Sequence, residues 1–126
     1  MSAGSLEQAR ALFTRGLAAY GAGRLDEAER AFREALALAP GRVSILANLA
    51  AVLLKRGRPT EARGHAEQAV RSDPENFEAC LTLGASLLQT GAAEPALRWL
   101  DKACALRADS AEAWTNRGNA LLSLKQ

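Results

Sequence analysis

The sequence predicts an all-α fold, one domain of antiparallel helix pairs stacked in a row, and three observations carry that prediction. Small residues return at a fixed interval of 34: Gly16, Ala50, Gly84 and Gly118 form one column, Gly23, Gly57 and Gly91 a second, Ala28, Ala62 and Ala96 a third, and Ala35, Ala69 and Ala103 a fourth. A period of this length marks stacked units that cannot bury their apolar faces alone. Composition agrees: 48% of the residues are apolar but only 5% aromatic, and the alanine and leucine that make up most of the rest favour helix over sheet. The stretch Gly23 to Pro40 supplies the third observation. Ala28, Phe32 and Ala35 share one helix face, a glycine precedes the run and a proline ends it.

Taken in order, the helices are expected at 5–22, 26–38, 43–56, 59–72, 77–90, 93–106 and 110–124. Ser5 with Gln8 is expected to cap the first, Asp26 with Glu29 the second, and Asp109 with Glu112 the last, each an oxygen-bearing residue followed three positions later by Glu or Gln. Pro59 and Pro95 fall in the first turns of their helices, where a missing N–H costs little. The column at 16, 50, 84 and 118 keeps long side chains out of the contact between the two helices of a pair, so they pack closely. Gly23, Gly57 and Gly91 end the first helix of each pair by turning left-handed. Helices of about 13 residues, near 20 Å long, are too short to persist alone in water, so stacking must stabilise them.

Charge and cysteine content narrow the function classes. The formal charge is +2, with the signs interspersed, which leaves no footprint for nucleic acid or a membrane surface. The first residues lack the make-up of a signal peptide, and no apolar run approaches the roughly 20 residues that span a bilayer, so a soluble cytoplasmic protein is expected. Arg56, Arg58 and Arg63 cluster at the second turn without interleaved aromatics and read as a solvated turn. Cys80 and Cys104 have no partners to complete a metal set and read as reduced core residues, with a redox switch as the alternative. His65 lacks a nucleophile or orienting carboxylate at triad-like spacing, and no cofactor is expected. Glu27, Glu34, Glu61 and Glu67 lie near arginines as solvated pairs. An enzyme is not expected.

Leu46, Leu49, Ala50, Ala62, Ala69 and Pro74 occupy the signature positions of one 34-residue copy, and in them the chain resembles the tetratricopeptide repeat (TPR) family. Arg15, Cys80 and Ala108 depart from that pattern. On this reading there are three full repeats at 9–42, 43–76 and 77–110, and the first helix of a fourth at 111–126. The resemblance implies a right-handed superhelix whose concave side is lined by the first helix of each repeat.

The same resemblance implies a groove for a protein or peptide. Its wall residues would be Phe13, Thr14, Leu17 and Tyr20 from the first copy, Asn48, Ala51, Leu54 and Lys55 from the second, Thr82, Ala85 and Leu88 from the third, and Asn116 and Asn119 from the fourth. Further groove positions fall on Arg10, Gly21, Ser44, Glu78 and Glu112, and the surface reads as apolar and uncharged, with few fixed charges. Family members that clamp a terminal carboxylate do so with lysines, an arginine and asparagines. Phe13, Leu17, Asn48, Glu78 and Thr82 stand in the corresponding places, and only the asparagine suits such a clamp. The groove is instead similar to the asparagine ladder of O-linked N-acetylglucosamine transferases. Thr14, Asn48, Thr82 and Asn116 fill that column, and all four can hydrogen-bond a peptide backbone. The alternative is that these groups bond only to water and neighbouring helices.

Trp114 and Leu121 lie where a following helix would cover them, and with Leu124 they form an apolar patch; the alternative is a short chain that simply ends in a tolerated apolar helix. Two expectations follow: the chain is the N-terminal part of a longer protein, and its last helix supports homo-oligomerisation. In a longer protein the repeats would recruit substrates for a glycosyltransferase, sulfotransferase or methyltransferase domain, or scaffold a self-assembling array.

Overall fold

A computed structural model describes residues 2–125 of the chain. Its seven helices are α1 (Ala3–Gly21), α2 (Leu25–Leu38), α3 (Val43–Lys55), α4 (Pro59–Ser72), α5 (Phe77–Gln89), α6 (Ala93–Leu106) and α7 (Ala111–Leu124). Among the described residues there is no strand, and no helix is long and apolar enough to cross a membrane. Gln126, the end of the expected fourth copy, lies outside the described residues.

The helix ends differ from expectation in their caps. α1 starts two residues early because Ser2, not Ser5, is the N-cap: its side chain accepts the Ser5 amide at 3.0 Å. Ser110, not Asp109, caps α7 by accepting the Ala113 amide at 3.2 Å. Asp26 does not cap α2. That helix begins at Leu25 after an uncapping Arg24, and Asp26 lies inside the first turn, where a carboxylate still favours the positive end of the helix dipole.

Each helix pair is joined by the same turn. Gly23, Gly57 and Gly91 have φ of 79°, 77° and 87°, and the next residue donates its amide back across the turn, Arg24 to the Ala19 carbonyl and Arg58 to that of Leu53, both at 2.9 Å. These are left-handed helix stops, which a residue with a Cβ occupies only with strain. Gly41, φ 83°, makes a fourth left-handed position between α2 and α3 that the repeat columns do not mark.

The paired helices then close on the small-residue column. A Cβ added to Gly16 would lie 2.4 Å from Phe32 Cε1, and one added to Gly84 would lie 2.6 Å from Leu100 Cγ. Phe32 and Leu100 are fully buried and, with Leu46, Leu49, Leu53 and Leu83, are the largest side chains of a core continuous from α1 to α7. Cys80 and Cys104 are free and buried in it, and burial pushes the Cys80 thiol up to about 11, too high for a reactive thiolate near neutrality. His65 is half-buried on α4.

Beyond the pairs, α3 packs on α5 and α5 touches α7, while the even-numbered helices make no comparable contact with one another. Helices that approach their next-but-one neighbours lie on the inside of a bend. The odd-numbered helices therefore line the concave side.

A charged cluster ties the first two repeats together. Glu29 is only 8% exposed and does not complete a cap. Its carboxylate accepts from Arg33 Nε at 2.8 Å, Arg58 Nη1 at 2.8 Å, Arg58 Nη2 at 3.0 Å and Arg56 Nη1 at 3.2 Å. Arg33 and Arg58 also meet Glu61, at 2.9 and 3.0 Å. Two of the three arginines read as a solvated cluster thus hydrogen-bond to a carboxylate from the preceding repeat. Burial pulls Glu29 toward a higher pKa, but the hydrogen bonds from Arg33 and Arg58 outweigh it and hold the group below its ordinary 4.5.

Two predictions follow from this packing. Gly84→Ala forces a methyl into Leu100 and should destabilise by about 1–3 kcal/mol in urea unfolding. Gly118→Ala meets nothing within 4 Å and should stabilise by up to about 1 kcal/mol through helix propensity. For the charged cluster, Glu29→Gln should cost about 1–3 kcal/mol at neutral pH. Because the folded pKa is depressed, the wild-type advantage is present above 4.5 and lost as pH falls through the lower folded value, so the two unfolding curves should converge in acid.

Candidate functional site

The concave side carries a cleft of about 430 Å³. α1 contributes Leu17, Tyr20 and Gly21, α3 contributes Asn48, Ala51 and Lys55, α5 contributes Glu78, and α7 contributes Glu112. The superhelical bend is what brings the end of α1 opposite the start of α7. Without it, residues 92 positions apart, Tyr20 and Glu112, would share no cleft. Below its floor a narrower recess of about 60 Å³ reaches Leu54, Leu81, Thr82 and Ala85.

The charges in the cleft sense one another. Burial raises the Tyr20 hydroxyl's pKa, and the negative charges of Glu112 and then Glu78 raise it further. Glu78 is itself raised, first by burial, with Arg107 opposing and Glu112 adding to the rise. Among the described residues, neither carboxylate has a basic partner within 4.0 Å. The expectation of a groove with few fixed charges needs correction, because Lys55, Glu78 and Glu112 converge on one space.

The other groove residues read from the sequence are distributed unevenly. Leu17 is 43% exposed and Ala51 half-buried at the cleft. Phe13, Tyr20, Leu54 and Leu88 are half-buried with one side against the core. Ala85 and Thr82 are buried, at 7% and 4% exposure, and reach the surface only through the narrow recess. Along the polar column, the exposed Thr14 hydroxyl donates to the Arg10 carbonyl at 3.0 Å, and the half-buried Asn48 amide donates to the Ser44 carbonyl at 2.8 Å. Asn48 keeps its amide oxygen and one N–H for other partners. Asn116 is half-buried and Asn119 exposed on α7, and neither lines the cleft.

A second hollow, of about 120 Å³, opens between the N-terminal halves of α1 and α3. Leu6, Ala9, Phe13 and Ile45 line it with Ala39, while Arg10, Arg42 and Ser44 rim it. Sequence reasoning passed over Leu6, Ala9 and Ile45 because the first two stand at or before the start of the first repeat copy. The signal was present, since Leu6, Ala9 and Phe13 follow helical spacing on one face.

The apolar end of α7 is partly dressed. Trp114 is 47% exposed, but its indole N–H donates to the Ala108 carbonyl at 2.8 Å and the Arg117 guanidinium lies 5.6 Å from its ring. Arg117 is held in turn by Asp101 at 2.6 Å. Leu121, Leu122 and Leu124 remain exposed, at 36%, 61% and 45%.

Known proteins resemble the chain in sequence and in fold. A family profile described as tetratricopeptide repeat matches residues 53–123, and a second of the same description matches residues 9–42. A wheat (Triticum aestivum) protein, the Hsp70-Hsp90 organizing protein, is 36% identical over 92 residues, which are 73% of this chain and 16% of that protein. Among solved structures, the first TPR of Spaghetti (RPAP3), bound to the HSP90 peptide SRMEEVD, superposes with a TM-score of 0.87 at 18% identity, covering 95% of each chain. The O-GlcNAc transferase of Thermobaculum terrenum superposes with a TM-score of 0.87 at 26% identity, covering 96% of this chain and 23% of that one. With the glycine turns, the small-residue column and the bent array of helix pairs, these matches place the chain in the tetratricopeptide repeat family.

Proposed function

We propose that this chain is a protein-interaction module that holds an extended peptide segment along its odd-numbered helices. The cleft shared by α1, α3, α5 and α7 carries this reading: its walls come from four separate helices and form one open surface suited to a run of several residues. Leu17, Ala51 and the Tyr20 ring offer apolar contact, and the free side of Asn48 offers a donor and an acceptor for a peptide backbone. The hollow at Leu6, Phe13 and Ile45 supplies an anchor for one apolar side chain further along the same face. The match to an Hsp70-Hsp90 organizing protein and the likeness to a peptide-bound TPR domain support the class of activity. In a longer polypeptide the same groove would recruit substrates to a transferase, and the likeness to the Thermobaculum enzyme supports that form of the proposal.

A displayed library of random dodecapeptides, selected on the intact chain, provides ligands with which to test the groove. Ala51→Trp fills the cleft from its floor and should lower the affinity of selected peptides at least tenfold, with circular dichroism unchanged. Asn48→Ala should weaken binding by a smaller factor, through loss of its hydrogen bonds to the peptide backbone. Peptides that bind Ala51→Trp undiminished, and are lost only on substitution of even-numbered helices, would refute the groove.

The exposed Leu121, Leu122 and Leu124 favour a second role, self-association through α7. Sedimentation velocity at millimolar concentration should show a dimer that Leu121→Glu with Leu124→Glu returns to monomer. A wild-type chain that stays monomeric would end this reading.

A further inference from the structure

We infer that the peptide held in this groove presents a lysine or arginine side chain to the space between Glu78 and Glu112. The inference rests on the groove reading just given and adds the chemistry of the partner.

Charge complementarity is the argument. Glu78 projects from the first turn of α5 and Glu112 from the first turn of α7, and both line the same cleft as Leu17, Tyr20, Ala51 and Lys55. Glu29, Glu61 and Asp101 each lie within 3.0 Å of one or more guanidinium nitrogens, while Glu7, Asp26, Glu34, Glu94 and Asp109 are unpaired among the described residues but exposed to solvent. Glu78 and Glu112 have no such partner among the described residues, although Glu78 is half-buried. A partly desolvated carboxylate facing a second one is unfavourable until a cation arrives. Lys55 and Glu112 are both exposed at this cleft, and one ammonium cannot neutralise two carboxylates. Arg107, which lowers Glu78, is drawn to the Phe77 ring, 4.5 Å away.

The remaining walls suit the stem of a long basic side chain. Leu17, Ala51 and the half-buried Tyr20 offer apolar surface along which methylenes can lie while the charged head stays between the carboxylates. An acidic segment such as the SRMEEVD bound by the Spaghetti (RPAP3) domain would instead meet two like charges here.

Selection of the dodecapeptide library on the wild-type chain tests this directly, followed by titration calorimetry of individual peptides. Enrichment of lysine or arginine at one register is expected. Glu78→Gln with Glu112→Gln should lower the affinity of those peptides about tenfold, and raising the salt should weaken wild-type binding far more than that of the variant. Lys55→Gln should tighten binding two- to threefold. Glu112→Lys should lose the basic peptide and recover binding when the peptide's basic residue is replaced by glutamate, an outcome a misfolded variant cannot give. Peptides blocked by Ala51→Trp yet without basic enrichment and indifferent to the glutamine variants would overturn this inference and leave the groove standing. Selection of acidic peptides would overturn it as well. Binding that ignores Ala51→Trp would overturn the groove and the inference together.

Discussion

Close approach of the two helices in each pair is the constraint on which the structure depends. At Gly16 and Gly84 the partner helix presses Phe32 and Leu100 into the space a side chain would need, and Ala50 keeps the equivalent place small in the middle pair. Nothing larger fits without moving a fully buried neighbour. The left-handed glycines seven residues further on reverse the chain at the height this contact requires. Repeated at a fixed interval, the same pair geometry stacks with the same rotation, and an array of identical rotations must curve. The cleft is a product of that curvature, because its walls on α1 and α7 belong to helices that are distant in the stacking order.

Electrostatics divides between the two sides of the array. Glu29, in the second helix of one repeat, collects three arginines, two of them from the turn of the next repeat, and fixes how those two repeats dock. Such a buried carboxylate is costly unless its oxygens are fully occupied, and here four hydrogen bonds occupy them. Glu78 and Glu112 are the opposite case, acidic, lining the concave cleft, and without a basic group within 4.0 Å among the described residues.

Much of the fold was legible because it is local and periodic. The helix spans came out within two residues at every end, since glycine turns, prolines and the small-residue column act within a few positions of themselves. Caps were harder. Ser2 and Ser110 each have another residue able to cap within three positions, and only the backbone geometry decides which oxygen reaches the amide. The site was legible in outline, through the positions that face inward in a repeat, but not in its charge. The repeat register put Lys55, Glu78 and Glu112 on the groove wall one copy at a time, but that they converge on one space depends on the superhelical rotation, which is written in no single window of sequence. Glu29 was misjudged for a related reason, as its partners Arg56 and Arg58 lie almost one repeat away and a capping role was available nearby.

The central claim is that ligand enters the concave cleft rather than the outer face or the last helix. Amide chemical-shift mapping of the isotope-labelled chain, titrated with a library-selected peptide, tests it most directly. The account predicts shifts clustered on Leu17, Tyr20, Ala51, Lys55, Glu78 and Glu112, with α2, α4 and α6 largely silent. Shifts concentrated on those even-numbered helices, or confined to α7 beyond Ala120, would contradict it.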